Sequence, residues 1–198
     1  MSRMALNSQE LLEPWRAGLA RLLAAVTPGE LGCCFFINNG TDAIEGAIKL
    51  ARLYTKRNTF VSALGGFHGK SMGSLSLMGK ASFREPFERG LQDVRFVPFG
   101  DADALDREMH ILEAVGQLPA GVVLEPVQGE AGGVVPPDGY LQRVREICTR
   151  YGTLFIADEI QTGMGRTGKL WGVDHSGVVP DIMCLGKSIG GGVMPLSA

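Results

Sequence analysis

Lys187 could act as a nucleophilic amine. It stands directly after Gly186 at the end of the predicted strand 181–185, and a glycine-rich stretch follows it. An amine attacks only after it has lost its proton, so its surroundings must favour the neutral form, through burial or through a neighbouring cation. Viewed alone, Lys187 is also compatible with an ordinary surface lysine, which is the more common case.

Asp158 could hold a cation in a partly buried position. It follows the apolar run 153–157, where a carboxylate is removed from water and therefore needs a partner. A protonated pyridine nitrogen is one such partner. A structural salt bridge is the alternative, and the sequence around Asp158 leaves both possibilities open.

An anion could bind where Gly40 and Thr41 begin a predicted helix. The free N–H groups and the dipole of a helix start attract phosphate, and glycine allows the anion to approach closely. The alternative is an ordinary helix cap formed by Asn39 or Thr41.

Phe67 follows Gly65 and Gly66 and precedes His68. Its ring could stack on a flat ligand at the edge of a site. It could also be one more phenylalanine of the hydrophobic core.

Two glycine-rich patterns suggest nucleotide binding, but their context excludes it. Residues 163–168 match G-x-G-x-x-G, yet no convincing helix opens there and no acidic residue stands about 20 positions later. The Gly-Lys-Ser triplets at 69–71 and 186–188 lack the earlier glycine of a phosphate loop, because Leu64 and Asp181 occupy its position.

Hydrophobic periodicity and turn residues predict strands that alternate with helices. The predicted helices cover 9–26 (capped by Ser8), 41–55, 70–78, 101–115 and 139–151. The predicted strands cover 33–37, 59–64, 94–98, 121–124, 153–157 and 181–185. This order favours an α/β fold with a mostly parallel sheet and helices on both faces.

Polar and glycine-rich clusters follow several of these strands. They lie at 38–42, 65–70, 125–130, 158–161 and 186–187. Because ligands of open α/β sheets bind outside the carboxyl ends of the strands, we expect the five clusters to form one site.

Composition narrows the classes of protein. The chain has 198 residues, 45% of them hydrophobic, and a formal net charge of −2, so it can bury a sizeable core, and nucleic acid or anionic membranes are not expected partners. The N-terminus lacks the pattern of a secretory signal. The four cysteines form no C-x-x-C pair, which favours reduced, mostly buried thiols in the cytoplasm and no metal site.

Five runs occur in the order typical of class III (ornithine/acetylornithine-type) aminotransferases, which depend on pyridoxal 5'-phosphate (PLP). They cover 39–43, 66–69, 125–130, 158–163 and 185–188. The sequence resembles this family over nearly its whole length. The resemblance implies the large domain of PLP-dependent transferase fold type I.

The resemblance also implies roles around the PLP ring. Lys187 would form the Schiff base with the cofactor and move the proton during transamination. Asp158 would pair with the pyridinium nitrogen, and Gln161 would lie near the 3'-oxygen. Phe67 and Ile160 would enclose the ring between them.

Further roles concern the phosphate and the substrate. Gly40 and Thr41 would donate backbone N–H groups to the phosphate, and His68 is predicted among the cofactor-binding residues. Glu130 is similar to the gating carboxylate of the family, which pairs with an arginine from the C-terminal region. In the family, a threonine from the neighbouring subunit completes the phosphate site.

The resemblance implies that the 198 residues are the large domain of a longer enzyme. We expect an N-terminal helical segment at 1–30 and a PLP-binding large domain at 31–198, with a small C-terminal domain missing. The longer enzyme would be a homodimer or a higher homo-oligomer. The alternative is an inactive truncated product.

Substrate choice depends on two features. The run 8–14, with Leu31 and Phe35-Phe36, resembles the putrescine aminotransferase branch, and Lys70 stands where amino-acid-specific members carry a carboxylate-binding arginine. Both features favour a diamine donor such as putrescine. The resemblance implies 2-oxoglutarate as the acceptor, and the products would then be glutamate and 4-aminobutanal. The alternatives are an ornithine/acetylornithine-type donor, or another PLP reaction such as decarboxylation or an aminomutase reaction.

Overall fold

The computed structural model describes residues 13–198, and the chain divides into two compact units between Phe35 and Phe36. In the first unit, helix α1 spans Pro14–Val26. The Glu13 side chain caps it by accepting a hydrogen bond from the Arg16 N–H at 2.6 Å, and Pro14 fits the first helical position, where no N–H is needed. The predicted start of this helix, with its Ser8 cap, lies outside the described residues.

The second unit contains a five-stranded sheet in which every neighbouring pair is parallel. Its strands are β1 Phe60–Ala63, β2 Val94–Val97, β3 Gly121–Leu124, β4 Leu154–Asp158 and β5 Ile182–Cys184. Their order across the sheet is β2-β1-β3-β4-β5. Strands β1 and β3 are buried along their whole length, as expected for a parallel sheet covered by helices, and the predicted α/β class is confirmed.

The predicted strand at 33–37 is wrong. Only Ile37 pairs, through an isolated antiparallel bridge to Ser197, while Phe35 is 61% exposed and Cys33 is also exposed. A short apolar run has no periodicity that distinguishes a buried strand from an extended connection, so tertiary pairing decides the outcome. Of the other thiols, Cys148 and Cys184 are buried and Cys34 is half-buried.

Five helices belong to the second unit. They are α2 Gly40–Thr55, α3 Met72–Ser76, α4 Ala81–Arg84, α5 Ala102–Ala114 and α6 Tyr140–Arg150. Short 3-10 segments cover Glu85–Gly90, Gly172–His175 and Lys187–Gly190. Helix α3 is shorter than the predicted 70–78. The N–H groups of Leu77 and Met78 donate to carbonyls three residues earlier, which is the pattern of a 3-10 turn and not of an α-helix.

The core forms where α2 packs on one face of the sheet. Its buried side chains recur at helical spacing, as Ile44 and Ile48 illustrate, and they cluster with Val123 and Ile156 of the central strands. Each such isoleucine contributes roughly 2 kcal/mol of hydrophobic burial. Side chains alternate along a strand, so Phe155 faces the opposite side, where α6 packs on β4 and α5 packs on β2.

Among residues 13–198, no helix is both long and apolar enough to cross a membrane. The same part of the chain contains no group of three or more His, Cys, Asp or Glu residues that could hold a metal ion.

Candidate active site

A cavity of about 270 Å³ receives residues from each of the five clusters. Its lining comprises Asn39, Gly40, Thr41, Phe67, His68, Gly69, Lys70, Glu125, Asp158, Ile160, Gln161 and Lys187. Nine of the ten predicted site residues are in this set, and Glu130 is the exception. The sheet therefore brings together side chains that lie up to 148 positions apart in the chain (Asn39 to Lys187).

Asp158 ends β4 and is 4% exposed. The His68 Nδ1 lies 2.7 Å from Asp158 Oδ2, and the Ile160 N–H donates to Oδ1 at 3.1 Å. The buried carboxylate thus has a partner that the sequence did not predict. A carboxylate has about four acceptor positions, so these two contacts leave capacity for a further donor from the cavity.

Glu125 is a site residue that sequence reasoning missed. It follows β3, is 5% exposed, and accepts hydrogen bonds from the Phe67 N–H at 2.9 Å and the Gly129 N–H at 3.0 Å. Burial raises the pKa of the Glu125 carboxyl, against the lowering effect of His68 and of these two hydrogen bonds. The rule that singled out Asp158, a carboxylate at the end of a buried strand, would have found Glu125 as well.

The start of α2 supplies the predicted anion site. The Asn39 side chain accepts from the Asp42 N–H at 3.1 Å, and the Asn39 carbonyl accepts from the Ala43 N–H at 3.1 Å. Asn39 is therefore the helix cap, and no acceptor among residues 13–198 takes the N–H groups of Gly40 and Thr41. A helix start with two such donors suits a phosphate.

Gly40 is needed for the close packing of this turn. A Cβ at this position would lie 2.9 Å from the Ile160 side chain, which is closer than carbon atoms normally approach. Because Gly40 has no side chain, Ile160 can pack against the start of α2 and also line the cavity.

Lys187 begins the 3-10 turn after β5, with a φ of 45°, in the left-handed region that lysine rarely adopts. Its side chain lines the cavity and is exposed, so burial, one of the two surroundings expected to favour a neutral amine, is not found at this lysine.

Lys70 and Phe67 line the cavity, whereas Glu130 does not. Lys70 is exposed, and its Nζ lies 5.3 Å from the centroid of the Phe83 ring. Phe67 contacts the same ring edge to face, with centroids 6.1 Å apart. Glu130 is exposed, and its backbone carbonyl accepts a hydrogen bond from Lys80 Nζ at 2.9 Å.

Comparison with known proteins adds the family. The model of the class-III aminotransferases matches residues 3–198.

The chain belongs to the class-III aminotransferase family.

Solved structures of this type are close in fold. A transaminase from the marine bacterium Virgibacillus is 32% identical, with a TM-score of 0.91 over 98% of this chain and 47% of its own. An amine transaminase from an uncultivated Pseudomonas species, in its PLP-bound form, is 32% identical, with a TM-score of 0.86 over 96% of this chain and 48% of its own. The ornithine aminotransferase of Toxoplasma gondii is 29% identical, with a TM-score of 0.85 over 97% of this chain and 46% of its own. The chain spans about half the length of these structures.

Class-III aminotransferases use PLP, and the residues of the cavity fit this cofactor. The buried carboxylate of Asp158 suits a protonated ring nitrogen, and the start of α2 suits a phosphate. Lys187 brings a primary amine to the same cavity. PLP supplies an electron sink when it is bound, and the protein supplies binding, orientation and charge.

Proposed function

We propose that this chain is the cofactor-binding part of a PLP-dependent aminotransferase, and that Lys187 is the lysine that bonds to PLP. The observation that carries the proposal is one cavity lined by Lys187, by the buried Asp158 and by the start of α2. These are an amine, an anion for the ring and a phosphate-binding turn, the three things that a PLP site requires.

Each group has a task that its surroundings support. The Asp158 carboxylate keeps the ring nitrogen protonated, because a negative charge in a buried place stabilises a neighbouring cation. His68 orients that carboxylate from 2.7 Å. The Lys187 Nζ accepts the proton that leaves the substrate carbon and returns it during transfer of the amino group.

For the other predicted residues, we propose that Phe67 and Ile160 enclose the ring and that Gln161 bonds to the 3'-oxygen. Glu130 would act as the gating carboxylate from outside the described cavity lining. The proposed complete enzyme is a cytoplasmic homodimer or higher homo-oligomer.

The proposed donor is a diamine such as putrescine, with 2-oxoglutarate as acceptor. Lys70 lines the cavity but offers a single ammonium group, whereas arginine would offer the two-pronged geometry that binds a carboxylate. A solved relative at 32% identity is an amine transaminase. The second candidate is an ornithine-type donor, which the likeness to the Toxoplasma gondii ornithine aminotransferase favours.

Cofactor attachment tests the first part of the proposal. Protein incubated with PLP should show visible absorbance, and borohydride reduction should fix the cofactor on Lys187. Lys187→Ala should abolish the covalent link, because the other lysine of the cavity lining, Lys70, has its Nζ over the Phe83 ring. Lys169→Ala, at an exposed lysine outside the cavity lining, should leave the link intact. Peptide mapping reads out the modified lysine. Label on any other lysine would disprove the assignment.

Donor preference tests the second part. Lys70→Arg should leave the single-turnover rate with putrescine within about tenfold, or roughly 1.4 kcal/mol on the barrier, because this donor has no carboxylate to bind. The same change should improve ornithine or acetylornithine if the guanidinium reaches their carboxylate. Rates are compared with putrescine, cadaverine, ornithine and acetylornithine. A preference of the unmodified protein for ornithine or acetylornithine would reject the diamine donor.

A further inference from the structure

Glu45 receives three hydrogen bonds from the segment that begins α3. Its Oε1 accepts from Ser71 Oγ at 2.5 Å, from the Gly73 N–H at 2.8 Å and from the Ser74 N–H at 3.0 Å. Hydrogen bonds to a charged acceptor are roughly twice as strong as neutral ones. Glu45 lies on α2 and is not among the cavity-lining residues.

Thr41 extends this network to the first turn of α2. Its hydroxyl lies 2.9 Å from Ser71 Oγ and 2.5 Å from Ser74 Oγ, and it accepts from the Ser71 N–H at 3.3 Å. Thr41 and Glu45 are four residues apart, so both side chains lie on the same face of the helix. The helix that offers its N–H groups to the cavity is thereby joined to the start of α3 by side-chain hydrogen bonds.

Gly73 leaves space for the Glu45 carboxylate beside the start of α3. A side chain at this position would collide with the Glu45 carboxylate. The glycine therefore makes room for the carboxylate next to the backbone N–H groups of α3, and a side chain here would displace the carboxylate from them.

The segment 67–71 is consequently held at both ends. At its start, the Phe67 N–H is bound by Glu125, and at its end Ser71 is bound by Glu45. Between these points the segment presents Phe67, His68 and Lys70 to the cavity. Loss of the Glu45 contacts would weaken the attachment of that end, where the Thr41 hydroxyl would remain as a partner of Ser71.

We propose that Glu45 is a positioning residue of the cofactor site. It holds the segment 67–71 against the first turn of α2, so that the phosphate-binding N–H groups and the ring-facing side chains keep one relative arrangement. The inference rests on the proposed function, because its consequence is measured as PLP affinity.

The test compares the full chain with Glu45→Ala, which removes the acceptor, and Glu45→Gln, which keeps an amide oxygen without the charge. Glu113→Gln, at an exposed position on α5, is the matched control. PLP affinity is measured by equilibrium dialysis well below the melting temperature of each protein. Hydrogen exchange of the Gly73 and Ser74 amides is measured without PLP, and it reports the contacts independently of any activity.

Glu45→Ala should bind PLP roughly tenfold more weakly, with Glu45→Gln intermediate and Glu113→Gln unchanged. The Gly73 and Ser74 amides should exchange faster in Glu45→Ala. PLP affinity of Glu45→Ala within about twofold of the parent would overturn the proposal, even with faster exchange, because the contacts would then be structural only. If Glu45→Ala does not fold, Glu45→Gln is judged by the same limit. A parent chain that fails to bind PLP would refute the proposed function and this inference together, whereas equal binding by parent and variants would refute this inference alone.

Discussion

The Asp158 carboxylate is the residue whose charge matters most to the proposed chemistry. It is buried, it is oriented by His68, and it retains acceptor capacity toward the cavity. A neutral group of the same shape would keep the packing and lose the charge that favours a protonated ring nitrogen.

Asp158→Asn should therefore lower the transamination rate of the PLP-loaded protein by at least about a hundredfold, or roughly 2.7 kcal/mol on the barrier. PLP should still bind through the start of α2, so affinity should fall less than the rate does. The exposed Asp138→Asn serves as the control for loss of one negative charge. Near-normal turnover of Asp158→Asn would show that another group serves the ring nitrogen.

At the scale of elements, Glu159 connects the end of β4 by hydrogen bonds to the segment 162–173 that follows it. It is 1% exposed and accepts hydrogen bonds from Thr162 Oγ1, from the Gly172 N–H at 2.9 Å and from the Val173 N–H at 2.8 Å. Burial nevertheless raises the pKa of the Glu159 carboxyl, because the cost of removing the charge from water outweighs these bonds.

This shift has a consequence for stability. A carboxyl whose pKa is higher in the folded state than in the unfolded state binds more protons when folded, so its contribution is greatest at low pH and is lost as pH rises through the folded pKa. As the pH rises from about 4.5 to about 7, the free energy of unfolding should therefore fall less in Glu159→Gln than in the parent protein. Urea unfolding at several pH values measures this, with the exposed Glu88→Gln as control. Identical pH dependence of parent and Glu159→Gln would contradict the expectation.

At the scale of the whole molecule, the strand order explains why the site is where it is. Four neighbouring strands, in the order β1-β3-β4-β5, are each followed by a cluster that lines the cavity. Strand β2 lies at the opposite edge from β5, and none of the residues directly after it lines the cavity. The carboxyl edge of a parallel sheet thus gathers residues from distant parts of the chain into one place.

Local patterns in the sequence were sufficient for the alternation of strands and helices and for most of the site. Periodicity identifies α2 and α6 within one residue at each end, because an amphipathic face repeats along a helix. Short elements without a period were missed, as α4 and the 3-10 segment Glu85–Gly90 illustrate. The apolar run 33–37 was misassigned for the same reason.

The sequence by itself determined which residue types meet at the cavity, because strand-end clusters follow from local composition and from the geometry of parallel sheets. Only the tertiary structure decided how those residues are paired. The His68–Asp158 contact joins positions 90 residues apart, and Glu45 reaches Ser71 across 26 residues. It also decided that Lys187 is exposed although Leu185 and Gly186 directly before it are buried. Pairing and burial are long-range properties of packing, and no local pattern of residues encodes them.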